Sequence, residues 1–254
     1  MIAAWIGALA IGLSLGLLGS GGSVLTVPVL VFLVGQEEKV AIAGSLAVVG
    51  SIALVGALPY LARGLVDFRS LLLFGMPGMA GTWLGAWLAA FVSGKVQLLV
   101  FGLVMLVAAA LMLRRTPIIT VAPGKRSAWK VIVDGLAVGM LTGFVGVGGG
   151  FLIVPALVLL GGLSMHRAVA TSLAIIALKS FAGFWKYLDV LADRGLSLDW
   201  TVLSVVTALG VIGSLVGNRL AVRLPHDLLK RGFGIFLILT AAFIIWQSAP
   251  AVVR

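Results

Sequence analysis

The chain has 254 residues, of which 61% are hydrophobic and only 10% charged, and it carries a formal net charge of +10. This composition excludes an ordinary soluble domain. The absence of cysteine excludes disulfides, thiolate nucleophiles and cysteine metal sites. Several uncharged runs approach the roughly 20 residues that cross a bilayer core, and they lie at 40–62, 96–113, 201–217 and 233–247. We therefore predict an all-α polytopic membrane protein.

The basic residues lie between the apolar runs, where they can meet anionic lipid headgroups, so the positive charge does not indicate nucleic-acid binding. Residues 1–34 carry no charged side chain. Without a basic n-region this stretch does not resemble a signal peptide. Membrane lipids are therefore the expected partners of the charged surface.

The sequence repeats itself with a shift of 127 residues, and the shift grows slightly towards the C-terminus. The aligned pairs are GLLGSGGSVLTVP (16–28) with GFVGVGGGFLIVP (143–155), AGSLA (43–47) with ATSLA (170–174), and GTWLGAWLA (81–89) with GSLVGNRLA (213–221). Internal duplication of this kind is typical of membrane transporters. We therefore expect two homologous halves.

Each half is predicted to contain a broken-helix hairpin followed by three transmembrane helices. The first repeat, 1–118, comprises in chain order the hairpin 3–34 and the helices 40–62, 70–92 and 95–114. A basic cytoplasmic linker follows at 119–127. The second repeat, 128–254, comprises in chain order the hairpin 131–162 and the helices 167–188, 200–222 and 228–248.

The distribution of basic residues favours the hairpins over single long kinked spans. With single spans the two halves would be parallel, and the positive charges would fall nearly evenly on both sides of the membrane. With hairpins the halves are inverted, and one side collects Arg63, Arg69, Arg114, Arg115, Lys125, Arg126, Lys130, Arg167, Arg219, Arg223, Lys230 and Arg231. By the positive-inside rule this side is cytoplasmic. We therefore expect an inner-membrane protein with both termini in the periplasm.

The glycine-rich stretches in the middle of the hairpins are the predicted tips. They comprise Gly19, Ser20, Gly21, Gly22, Ser23, Gly146, Gly148, Gly149 and Gly150. A half-helix begins after each tip, and its free N–H groups and partial positive charge suit an oxyanion. Pro28 and Pro155 break each half-helix by removing a backbone donor. We expect the two inverted tips to meet near the midplane and to bind an anion there, although close helix packing is an alternative use of the glycines.

Lys179 is a charged residue inside a predicted membrane helix. It lies twelve residues beyond Arg167, which is about 18 Å of helix rise and more than halfway across the bilayer core. The aligned residue of the first half is Ile52, so the charge is present once. Intramembrane charge marks a functional site by default, and we predict a contribution to the anion site. The alternative is a side chain that snorkels to the outer interface.

Three hydroxyl residues and one acid complete the predicted site. Ser45 and Ser172 occupy matching positions of the repeat, and Thr171 adjoins the latter. They are expected to line the substrate path, or else to bond to their own helix backbone. Asp134 is either a coupling residue or the i,i+4 partner of Lys130. The chain has only two histidines, so no metal site is expected, and no motif indicates a cofactor.

The motif GxGGxxxxxP occurs as GSGGSVLTVP (19–28) and GVGGGFLIVP (146–155), with ATSLA (170–174) downstream. The chain thereby resembles the sulfite exporter TauE/SafE family. The resemblance implies an inner-membrane permease for sulfur-containing oxyanions such as sulfite, sulfoacetate and other organosulfonates. Ser23 stands where the second copy has Gly150, so the two tips differ. A related group of thiosulfate permeases relies on cysteines, which this chain lacks.

The expected function is secondary transport of a small sulfur oxyanion, most simply export, by alternating access of the two repeats. An anion channel of the same architecture is the alternative. An integral membrane enzyme is less favoured, because it would need a cluster of carboxylates, histidines or cysteines near an interface.

Overall fold

The computed structural model describes residues 2–19, 21–113, 127–146, 150–221, 223 and 226–252. Every regular element in this part of the chain is a helix, and no strand occurs in it. The predicted all-α fold is confirmed, because long apolar runs satisfy their backbone hydrogen bonds within each helix.

The helices are α1 (Ile2–Leu18), α2 (Gly21–Pro28, continued by a π-helical turn at Val29–Leu33), α3 (Glu38–Ala62), α4 (Phe68–Ala89), α5 (Gly94–Leu113), α6 (Ala128–Val145), α7 (Gly150–Pro155, continued by a π-helical turn at Ala156–Leu160), α8 (Met165–Asp193), α9 (Trp200–Ala221) and α10 (His226–Val252). By the sequence repeat, α1–α5 correspond in order to α6–α10.

Five of the described helices are long and apolar enough to cross a membrane, namely α3, α4, α6, α8 and α9. All seven tryptophans of the chain are exposed on the surface. Exposed tryptophans among exposed leucines and phenylalanines suit a surface that faces lipid tails and headgroups. Of the five, α3 and α8 are the most buried, so they form the centre of the molecule.

The chain reverses direction between α1 and α2. A Cβ at Gly22 would lie 2.0 Å from the carbonyl oxygen of Ile11, and a Cβ at Gly7 would lie 3.1 Å from Val29. The start of α2 therefore packs on the second half of α1, and the π-helical turn after α2 packs on the first half of α1. The corresponding connection between α6 and α7 falls at 147–149, outside the described residues.

The two prolines mark a change of helix type. Both α2 and α7 end at a proline, Pro28 and Pro155, and a π-helical turn follows each of them. Proline has no N–H to donate to the preceding turn, and π-turns arise where the regular hydrogen-bond ladder is interrupted. In the first half the wider turn closes with a hydrogen bond of 3.0 Å from the Val34 N–H to the Val29 carbonyl. In the second half the Gly161 N–H makes the corresponding bond of 3.0 Å to the Ala156 carbonyl.

Glycines bring helices from different halves into backbone contact. In α1 and α9, Gly12 lies against Gly210, and Gly16 lies against Gly217. In α4 and α6, the pairs are Gly78 with Gly139 and Thr82 with Gly143. Residue numbers rise together along each pair, so both pairs are parallel. Small residues at these crossings permit the close approach that drives helix association in lipid.

The central pair, α3 and α8, is antiparallel. Leu46 packs on Gly183, Gly50 on Ser180, and Gly56 on Leu173. The outer pair formed by α5 and α10 is antiparallel as well, because Gly102 lies against Ile245 and Gly234 against Leu113. The helices of these two pairs, which correspond by the sequence repeat, therefore run in opposite directions.

The glycine crossing of α1 and α9 leads to a first prediction. A Cβ at Gly12 would lie 1.9 Å from the Gly210 carbonyl oxygen, a backbone atom that cannot rotate away. Gly12→Ala is therefore expected to destabilise the protein by more than about 2 kcal/mol, seen as a lower melting temperature in detergent. Gly232→Ala is the matched control, because nothing lies within 4 Å of that position and alanine favours a helix. Equal melting temperatures of the two variants would contradict the packing argument.

Candidate functional site

Each predicted tip begins with a glycine in the left-handed conformation. The φ angle is 69° at Gly19 and 76° at Gly146. Their N–H groups bond to Leu15 and Thr142 carbonyls at 2.8 and 2.9 Å, and so end α1 and α6. Residues with a Cβ atom rarely adopt this backbone conformation. The sequence therefore places glycine where each long helix stops.

Each tip is held by a serine of the other repeat. The Ser172 hydroxyl lies 2.9 Å from the Gly19 carbonyl oxygen, and the Ser45 hydroxyl lies 2.5 Å from the Gly146 carbonyl oxygen. Each hydroxyl also lies 2.8 Å from a carbonyl of its own helix, so its single proton is shared between two acceptors. In this structure both serines bond to the tips, and their lining of the substrate path stays a prediction.

The first residues of the two tips, Gly19 and Gly146, contact different parts of α8, while α2 and α7, which begin at the tips, contact each other, so the meeting of the tips at the midplane stays a prediction. Gly19 contacts Val169 and Ser172 near the start of α8. Gly146 is bound by Ser45, whose neighbour Leu46 packs on Gly183 near the other end of α8. The contacts are therefore separated by at least about 16 Å along that helix.

The remaining tip residues have different environments. Gly22 is a packing glycine against α1, while Gly21 and Gly150 are the first residues of α2 and α7. Ser23 is fully buried. The other predicted tip positions, Ser20, Gly148 and Gly149, lie outside the described residues.

Thr171 faces the connection between α3 and α4. Its hydroxyl accepts a hydrogen bond of 2.9 Å from the Asp67 backbone N–H. Asp67 also lies 4.0 Å from the Arg167 guanidinium. Thr171 therefore fixes a loop at the edge of the bundle, and this contact does not bring it to the other predicted site residues.

Lys179 lies between the two tips and is completely buried. Its aliphatic carbons lie against Gly78, and its ammonium nitrogen is 5.8 Å from the centre of the Phe74 ring. Within the described part of the chain, this nitrogen has no hydrogen-bond partner. The adjacent Ser180 hydroxyl is also buried without a partner there. Burying an unpaired charge is costly.

The repeat shows how Lys179 departs from ordinary packing. Ile52, its counterpart in α3, packs on Gly210 of α9. A Cβ at Gly210 would lie 2.2 Å from the Ile52 side chain. Gly78 of α4 is the counterpart of Gly210 and receives the lysine stem in the same way. A large side chain over a glycine is thus a structural feature of both halves. Only the second half places an ammonium at its end.

Asp134 is partly buried on α6. The next residue, Gly135, packs on Phe74, the residue whose ring faces Lys179. The acid therefore lies near the helix crossing that contains the lysine.

Sequence reasoning missed a buried polar network at the second tip. Tyr187 OH donates towards the Phe144 and Gly143 carbonyl oxygens, at 3.2 and 3.3 Å. The Gln97 amide nitrogen donates to Tyr187 OH at 2.9 Å and to the Phe144 carbonyl oxygen. The Lys39 ammonium donates to the Gln97 amide oxygen and, at 2.6 Å, to the Ala89 carbonyl oxygen. The sequence did contain a signal for a structural role of Tyr187, since the only two tyrosines, Tyr60 and Tyr187, occupy matching repeat positions.

Comparison with known proteins agrees with the resemblance. The sequence profile of the family described as Sulfite exporter TauE/SafE matches residues 4–244. Two proteins of Xylella fastidiosa, strains 9a5c and Temecula1, each named probable membrane transporter protein, are 33% and 34% identical over 250 residues, which is 96% of this chain and 94% of each relative. The probable membrane transporter protein YunE of Bacillus subtilis is 32% identical over 192 residues, 66% of this chain and 70% of YunE. No solved structure matches the chain.

Proposed function

Because the chain belongs to the sulfite exporter TauE/SafE family, we propose that it is a secondary transporter that exports a small sulfur oxyanion, such as sulfite or an organosulfonate, across the inner membrane. The observation that carries the proposal is the Lys179 ammonium, which is buried between the two tips without a hydrogen-bond partner among the described residues. The relatives named probable membrane transporter proteins support transport as the activity.

A small oxyanion fits the chemistry around Lys179. Its negative charge offsets the desolvated ammonium, and its oxygens can accept hydrogen bonds from the lysine and from the Ser180 hydroxyl. Phe74 and Gly78 form an apolar wall, which strengthens electrostatic attraction by excluding water.

The helix arrangement supports inverted repeats and alternating access. Corresponding helices run antiparallel in the pairs α3 with α8 and α5 with α10, as a two-fold axis in the membrane plane requires. One tip then lies on each side of Lys179. We propose that the tips open in turn and expose the lysine first to one side and then to the other. Ser45 and Ser172 set the closed position of each tip, and the glycine backbone of the tips contributes N–H donors along the path.

Asp134 is the proposed coupling residue. It lies near the crossing that holds Lys179, and a carboxylate there can exchange protons as the anion moves. Transport driven by a proton gradient would then depend on this side chain, whereas a uniporter would not require it.

Counterflow in proteoliposomes tests the proposed function. Vesicles loaded with unlabelled sulfite are expected to accumulate labelled sulfite transiently, because a carrier exchanges substrate faster than it allows net flow. Sulfoacetate, thiosulfate, sulfate and chloride serve as competitors and identify the substrate class. An imposed pH gradient should drive uptake in the wild-type protein and fail to do so in Asp134→Asn.

Protein-free vesicles and heat-inactivated protein are the controls. A channel would conduct the same anions without transient accumulation and without saturation. That result would contradict a carrier and support the anion channel instead. Absence of flux for every anion, with protein that elutes as a folded species, would contradict the anion-transport proposal itself.

A further inference from the structure

Two buried polar side chains of α9 face a glycine of α3. Ser214 and Asn218 lie one turn apart on α9 and are 1% and 7% exposed. A Cβ at Gly56 of α3 would lie 2.8 Å from the Ser214 hydroxyl oxygen and 3.7 Å from the Asn218 amide nitrogen. Within the described part of the chain, neither the Ser214 hydroxyl oxygen nor the Asn218 amide oxygen has a hydrogen-bond partner. The pair therefore has unused capacity to bind a ligand beside α3.

The orientation of the Asn218 amide follows from a hydrogen bond to α3. Its nitrogen donates to the Gly56 carbonyl oxygen at 3.0 Å. A carbonyl oxygen can only accept, so the other atom of the amide, the one left unpartnered, is the oxygen. Burying such an acceptor without a donor or a cation costs free energy. The Asn218 oxygen therefore favours a ligand that is positively charged or donates a hydrogen bond.

The Ser214 hydroxyl departs from the usual behaviour of a serine in a helix. The hydroxyls of Ser14 and Ser204 each bond to a carbonyl of their own helix, which is the ordinary use of such groups. The Ser214 hydroxyl makes no such bond and lies instead at the Gly56 position of α3. Its lone pairs are therefore available to the same ligand as the Asn218 oxygen.

The matching crossing of α4 with α8 is apolar at this point. Thr82 is the counterpart of Ser214, and its hydroxyl bonds to its own helix. Its methyl group lies at Gly183, the matching glycine of α8, 2.8 Å from where a Cβ would be. Ala86 stands at the position of Asn218. The fold therefore does not require polar side chains at this crossing, and the pair on α9 is a feature of the second half alone.

The last turn of α1 lies against the same part of α9. A Cβ at Gly16 would lie 2.2 Å from the Ser214 carbonyl oxygen and 2.8 Å from the Asn218 backbone nitrogen. The helix ends two residues later, at Leu18. Since the C-terminal end of a helix carries a partial negative charge, a cation is favoured here over an anion. Arg219, the next residue of α9, is exposed, so solvent and headgroups screen its charge.

We propose that Ser214 and Asn218 bind a small monovalent cation, with Na⁺ as the probe, where α9 meets α3 and the end of α1. Neutral oxygens and helix C-terminal ends are the groups that hold Na⁺ in membrane transporters. A divalent ion would call for carboxylates, and the described residues contain no group of three or more acids or histidines that could hold one. The site is separate from Lys179, whose stem lies on Gly78 of α4.

Thermal unfolding in detergent tests the site without any need for transport. Choline chloride is replaced stepwise by sodium chloride, so that the ionic strength and the chloride concentration stay constant and only the small cation changes. A cation that binds the folded chain should raise the melting temperature by roughly 3–5 °C for each tenfold increase of Na⁺ above Kd. Choline is too large for a buried site between packed helices and should give no such rise.

Asn218→Ala installs the residue of the matching position and should raise the Na⁺ concentration for half-maximal stabilisation at least about tenfold. Ser214→Ala is the second variant in case Asn218→Ala does not fold. It removes a single hydroxyl, keeps the bond from Asn218 to Gly56, and should raise that concentration several-fold. Ser204→Ala is the matched control, because it removes a hydroxyl of the same helix that bonds to the Thr201 carbonyl, and it should leave the Na⁺ response unchanged.

Equal melting temperatures of the wild-type protein in sodium chloride and choline chloride would overturn the proposal. A Na⁺ response that persists unchanged in both Asn218→Ala and Ser214→Ala would also overturn it, because the cation would then bind elsewhere. The outcome is independent of the proposed transport. A protein that fails in counterflow but shows a Na⁺ response that Asn218→Ala weakens would lose the transport function while the cation site stands.

Discussion

Lys179→Ile is expected to abolish anion exchange and at the same time to raise the melting temperature. Exchange should fall by at least about 100-fold, because a buried charge-assisted interaction worth roughly 3 kcal/mol is removed from the site. Stability should rise, because an ammonium without a hydrogen-bond partner in the described structure is replaced by an apolar side chain that the matching position already accommodates as Ile52. Counterflow and thermal unfolding in detergent measure the two effects on one preparation.

Ligand binding gives a readout that does not require transport. A bound anion stabilises the folded protein in proportion to the logarithm of its concentration over Kd, so sulfite should raise the melting temperature of the wild-type protein and have no effect on Lys179→Ile. Ile52→Met is the matched control, since it changes the counterpart position and should leave both exchange and the ligand response near wild type. If Lys179→Ile exchanges anions at the wild-type rate, the anion site does not include Lys179. A lower melting temperature in that variant would mean that the ammonium has a favourable partner.

The fold class and the burial of Lys179 followed from hydrophobic runs and helix rise, because both depend only on local sequence and a known membrane thickness. The contacts of the tip glycines with other helices did not follow. Charge patterning assigns loops to sides of the membrane, but it carries no information on which residues a hairpin touches. Those contacts depend on how α1 and α6 pack on α9 and α4, for example through Gly12 on Gly210.

The roles of the polar residues depended on tertiary contacts. Ser45 bonds to Gly146 and Ser172 bonds to Gly19 across more than 100 residues of sequence, and nothing local distinguishes these bonds from bonds to the substrate. Lys39 and Gln97 each lie in the first turn of a helix near a predicted interface, where polar residues are ordinary. Only the folded chain brings them to Tyr187. The transport-lining roles of the serines, Lys179 and Asp134 stay predictions.

Gly146→Ala is expected to destabilise the protein by about 3–5 kcal/mol and to reduce its yield, because two separate costs add. The first is the left-handed backbone, with φ at 76°. The second is overlap, since the new Cβ would lie 1.9 Å from the Ile42 Cγ2 atom. Displacing the backbone to relieve the overlap would also strain the bond from Ser45 to the Gly146 carbonyl oxygen.

Gly35→Ala separates the two costs. Gly35 has a φ of 82° and nothing within 4 Å of a Cβ, so its substitution should show the backbone cost alone, about 1–2 kcal/mol. Melting temperatures of both variants in the same detergent give the difference that belongs to packing. If Gly146→Ala melts at the temperature of Gly35→Ala, the tip moves freely against α3 and the contact with Ile42 does not hold it.

Ile42→Ala in the Gly146→Ala background completes the test of the tip contact. Alanine removes the Cγ2 atom that overlaps the new methyl group, so the second substitution should cost less in the variant than in the wild-type protein, where it only leaves a cavity. The expected coupling is about 1–2 kcal/mol in favour of the double variant. Additive effects would mean that the tip relaxes away from Ile42 in the single variant. The coupling therefore reports directly whether the second tip is pressed against α3, as a closed gate must be.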